Sequence, residues 1–89
     1  MARYEMNSVD MAGMGQGPVN AQNLYQMGLK YAVGRDVESD LVTAHKWFNL
    51  AALKGSKEAA DYRKEISSEM TADQIAQAQR EAREWLSLH

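Results

Sequence analysis

The chain has 89 residues, of which 45% are apolar and thirteen are alanine, and so short a chain buries a smaller share of its surface than an ordinary domain does, which excludes a large core. Ten basic against 12 acidic residues leave a net charge of -2, which argues against a nucleic-acid or anionic-membrane footprint. There is no cysteine to staple the fold, and a single proline with few β-branched runs favours helices over a sandwich or barrel.

Residues 1 to 18, MARYEMNSVDMAGMGQGP, hold four of the six methionines and three of the six glycines, a composition that predicts a flexible tail. Gly13, Gly15 and Gly17 follow no strand and match neither phosphate-loop spacing. Met6, Val9, Met11 and Met14 are suited to an irregular apolar groove, on a partner or on the chain's own body. The segment lacks the basic and apolar regions of a secretory signal, and nowhere is there an apolar run long enough to span a bilayer. The expectation is a cytoplasmic protein with no membrane insertion.

From Val19 onward the helix punctuation is regular. Asn20 caps a first helix over Ala21 to Val33, with Val19 and Leu24 placed as a hydrophobic staple and Gly34 as the left-handed stop. Leu24, Met27, Gly28 and Tyr31 recur at helical spacing on one face. The polar loop Arg35 to Ser39 has only Val37 to turn inward. Asp40 caps a second helix over Leu41 to Lys54, striped by Leu41, Ala44, Trp47, Phe48, Ala51 and Ala52 and closed by Gly55. Ser56 caps a third helix over Lys57 to Glu69, with Ala59, Tyr62, Ile66 and Met70 inward. Thr71 and Gln74 form a capping box for a fourth over Ala72 to Leu86, with Ile75, Ala78, Ala82, Trp85 and Leu86 inward. Short connections predict an all-α fold of two antiparallel helical hairpins.

Self-similarity is the next question, because a helical hairpin that cannot bury its own face signals a repeat. Ala21 to Ala59 carries Tyr25, Gly28, Tyr31, Gly34, Val37, Asp40, Ala44, Trp47, Phe48, Ala51, Ala52, Gly55 and Ala59 in an order and spacing that closely resembles a Sel1-like repeat, a relative of the tetratricopeptide repeat. The resemblance implies a short α-solenoid, with residues 19–56 a full repeat and 57–89 a degenerate or capping hairpin behind the flexible tail. Each motif residue has a packing or turning role: Gly28 should let the first helix approach Ala44 on the second, and Trp47 and Phe48 should supply the bulk that alanines lack.

Chemistry-bearing groups are sparse. His45 has no His, Asp or Glu three or four residues away and His89 is the last residue, so no metal site is expected. His45 reads as a partly exposed helix residue. The serines fall at caps, in loops or on helix surfaces, and two hairpins offer little concave pocket. No catalytic residue, cofactor or small-molecule substrate is therefore expected.

Proteins with Sel1-like repeats commonly serve as scaffolds, so the resemblance implies a non-enzymatic interaction module or adaptor that binds another protein or itself. The candidate partner-binding residues are Asn23, Gln26 and Lys30 on the first helix and Arg63 on the third, with Leu24 and Met27, beside Leu29, as an exposed apolar side. The alternative is an accessory subunit of a larger complex, anchored through residues 1 to 18.

Overall fold

In a computed structural model that describes residues 19–89, each helix begins where a short polar side chain captures an orphan amide. Asn20 Oδ1 accepts from Asn23 N at 2.9 Å and opens α1, Ala21–Val33. Asp40 accepts from both the amide and the hydroxyl of Thr43, at 3.1 and 2.8 Å, and opens α2, Leu41–Leu53. Ser56 Oγ accepts from Ala59 N at 3.0 Å at the head of α3, Lys57–Ser67. The reciprocal Thr71–Gln74 bonds open α4, Ala72–Leu88. The expected capping residues thus all serve, because each satisfies an amide the helix itself cannot.

α1 ends at Val33 as expected, and the other three helix ends shift by one or two residues. After α1, Gly34 adopts φ 75° and its amide reaches Lys30 O at 3.0 Å, a left-handed stop at which a Cβ would be strained. α3 stops at Ser67 instead of Glu69, as Ser67 and Ser68 Oγ take the Arg63 and Glu65 carbonyls at 2.7 Å and the last turn tightens. α4 runs on to Leu88.

The described residues form an all-helical fold, with four helices and no strand. α1 and α2 run antiparallel, since Asp40 N donates to Tyr31 O near one end while Tyr25 meets Phe48 further along. α2 and α3 are likewise antiparallel, for Asn49 meets Arg63 and His45 meets Ser67. The second half departs from the expected hairpin. α4 packs on α2 and touches α3 only slightly, so α2 lies at the centre with α1, α3 and α4 around it. The reason lies in what each helix offers: α3 buries only Ala59 and Ile66, whereas α2 buries Ala44, His45, Trp47, Phe48, Leu50 and Ala51. α4 brings Ala78, Ala82 and Trp85, and Trp85 meets Trp47 edge to face at 5.8 Å.

Several inward assignments are corrected by this arrangement. Leu86 is 42% exposed on α4, Ala52 is half-buried, and Leu50, outside the expected stripe, is buried. What Gly28 meets on α2 is Phe48: a Cβ there would overlap its ring, so the glycine is the recess into which Phe48 fits. The tail residues 1 to 18, including Met6, Val9, Met11 and Met14, lie outside the described residues.

Candidate functional site

Phe48 is fully buried and its ring leads from the core toward the α1–α3 side. Gly28 on α1 makes room for it. Tyr62 of α3 stacks on it at 5.7 Å and 18°, and Tyr25 of α1 leans against both rings, 6.1 Å from Phe48 and 6.0 Å from Tyr62. Tyr25 is half-buried and Tyr62 is 40% exposed. Two tyrosines therefore present part of their rings to solvent while a buried ring holds them in place, an amphipathic surface suited to apolar contact and hydrogen bonding together. Tyr62 was expected inward, and only the face it lays on Phe48 is.

Electrostatics sharpen this face. Partial burial, and then the neighbouring Tyr62 and the Glu58 carboxylate, push the Tyr25 hydroxyl above its ordinary value. On a helix turning 100° per residue, Glu58 and Glu65 share the Tyr62 side of α3, whereas Lys57 and Lys64 point away from it. The side of α3 that borders α1 is therefore acidic.

The residues expected to bind a partner are not gathered here. Leu24 is fully buried and Met27 is 9% exposed, both in the core, so the exposed apolar side expected of them does not exist. Their spacing puts them on the face of α1 that is buried in the core, and the same stripe that marks a helix face cannot also be free. Asn23 and Lys30 lie on the side of α1 turned away from Tyr25, and Gln26 is exposed between. Arg63 turns inward, its Nη1 donating to Asn49 Oδ1 at 2.7 Å. Of the motif residues, Ala44 and Trp47 are in the core, Tyr31 is packed against it, and Gly55 has φ 107° in the turn after α2.

A second polar cluster sits between α2 and α3. His45 is 2% exposed, which corrects its expected exposure. Ser67 Oγ gives its hydrogen to Arg63 O at 2.7 Å, so it can only accept from His45 Nε2 at 3.0 Å. That assigns the proton to Nε2 and leaves Nδ1 to accept from Asn49 Nδ2 at 3.4 Å. The imidazole is neutral and its pKa is lowered, first by burial and then by the Arg63 charge. The Ser67 hydroxyl is thus directed at a carbonyl, and the histidine joins two helices.

At the other end of α1, an open hollow of about 510 Å³ is lined by Tyr31, Val37, Glu38, Asp40, Leu41 and Glu69, among others. Among the described residues no three His, Cys, Asp or Glu side chains are arranged to hold a metal ion. None of the described helices is long and apolar enough to cross a membrane. No family model, curated protein or solved structure matches the chain.

Proposed function

We propose that the chain is a small, non-enzymatic protein-binding module, a Sel1-like and tetratricopeptide-like helical repeat unit that docks a partner along the valley between α1 and α3. The observation that supports this reading is the Tyr25–Tyr62 pair, half-open to solvent yet anchored on the fully buried Phe48. Rigid aromatic anchors lose little entropy on binding and dominate the energetics of interfaces. The sequence pattern of Ala21 to Ala59 supports the repeat assignment, with α1 and α3 as the first helices of successive units and α4 as the closing element.

The partner is another protein or a second copy. The alternative, an accessory subunit anchored through residues 1 to 18, rests on residues outside those described, and no observation on the described part favours it. Photo-crosslinking decides the matter: a benzophenone amino acid at position 62 should give a discrete adduct in native extract, and the same group at position 88 should not. Equal labelling from both positions, or none from position 62, overturns the reading.

A further inference from the structure

The valley has a charge as well as a shape, and its charge names the chemistry of what it holds. Because α1 and α3 both run antiparallel to α2, they run parallel to each other. Tyr25 and Tyr62 meet near one end of the valley, and Tyr31 and Glu69 both line the hollow at the other. Between them, Glu58, Tyr62 and Glu65 fall on one stripe of α3. The hollow adds Glu38, Asp40 and Glu69 to the apolar Val37, Leu41 and Val42, and among the described residues no lysine or arginine lines it. The Asp40 carboxylate is already engaged by Thr43, whereas Glu38 and Glu69 are exposed and their carboxylates are not engaged by any of the described residues.

From the aromatic pair at one end and the acidic hollow at the other, we propose that the valley binds a basic peptide segment of a partner protein, with an arginine or lysine entering the hollow and apolar or cationic side chains lying on Tyr25 and Tyr62. The chemistry of each part agrees. A cation is attracted to a tyrosine face, and a long Lys or Arg side chain keeps its stem on apolar surface while its charged end reaches a carboxylate. The carboxylates are spread along the valley and do not converge as metal ligands do, which suits several charges on one extended chain. A second copy fits less well, since the chain is itself acidic at -2 and like-charged surfaces repel.

This inference rests on the docking role proposed above, and the test separates the two. Random twelve-residue peptides are displayed and selected on the immobilised full-length chain. Affinities of the selected peptides are then read by fluorescence anisotropy against wild type, Glu38→Gln/Glu69→Gln, Tyr62→Ala and the control Glu81→Gln/Glu84→Gln on α4. Expected are peptides rich in Lys or Arg, weakened about three- to tenfold by the valley pair, as two exposed charge contacts would be, and less than about twofold by the control pair. Selected peptides lacking basic residues, yet weakened by Tyr62→Ala, overturn the inference and leave the docking role standing. Basic peptides weakened equally by both glutamate pairs show general charge attraction and overturn the inference as well. No enrichment, or binding indifferent to Tyr62→Ala, overturns both.

Discussion

At Gly28 the backbone of α1 meets the Phe48 ring with no space for a methyl group. Two effects oppose each other on replacement by alanine. Alanine is the better helix former by about 1 kcal/mol, but its Cβ would overlap the body of an aromatic ring held by Tyr25 and Tyr62 and fully buried. A flexible chain end could give way; a ring packed on both sides cannot. Overlap should win, and Gly28→Ala should destabilise by about 1–3 kcal/mol, read as a lower urea midpoint at unchanged slope. A midpoint at or above that of wild type would place Phe48 elsewhere.

Between elements, the His45–Ser67–Asn49–Arg63 cluster joins α2 to α3 and makes the joint sensitive to acid. The folded state lowers the His45 pKa below the ordinary 6.5, so around that pH the unfolded chain binds more protons and stability rises with pH. The contribution is fully present above about 6.5 and is lost as pH falls through the folded value. Protonation would also put a new Nδ1 hydrogen against the Asn49 amide, donor facing donor. The melting temperature of wild type should therefore fall between pH 7.5 and pH 5 by more than that of His45→Gln; equal falls would remove His45 from the account. At the head of α4, Thr71→Ala removes the acceptor for Gln74 N and should cost about 0.5–2 kcal/mol in thermal unfolding, a loss that Thr71→Ser should largely restore. Caps of this kind are legible in sequence because they act within three residues: Asn20, Asp40, Ser56 and Thr71 each cap a helix. The Phe48 recess and the α2 to α4 packing are not local, and a stripe drawn for a single helix does not say which neighbour it meets. One signal was present. LVTAHKWFNLAAL is apolar on nearly all sides, and a helix of that kind is surrounded by others; read so, it places Leu50 and His45 inside. The tyrosine pair needed three helices to be positioned at once, which no motif on one of them states.

Across the whole molecule, α2 is the element through which α1, α3 and α4 are coupled, so stability should be shared and not divided between two repeat units. Trp47 is the largest of its fully buried side chains and its contact with Trp85 holds α4. Its indole N–H, like that of Trp85, has no hydrogen-bond partner among the described residues, so the residue stabilises through area and packing while its polar atom is a cost. Truncation to alanine should cost about 3–5 kcal/mol, against a total of about 4–11 kcal/mol for some 70 ordered residues at the usual range per residue. Trp47→Ala should therefore melt far below wild type by circular dichroism, with the helical signal lost in a single transition. Trp47→Phe keeps an aromatic ring at the α2–α4 contact and removes the unpartnered donor, so it should cost clearly less than the alanine. Leu88, 80% exposed at the end of α4, should tolerate alanine within about 0.5 kcal/mol. Hydrogen exchange on Trp47→Phe separates the two architectures. Protection falling evenly across α1, α3 and α4 is expected of a central helix, and a fall confined to α3 and α4 would mean that two repeat units stack side by side with α1 and α2 folding on their own.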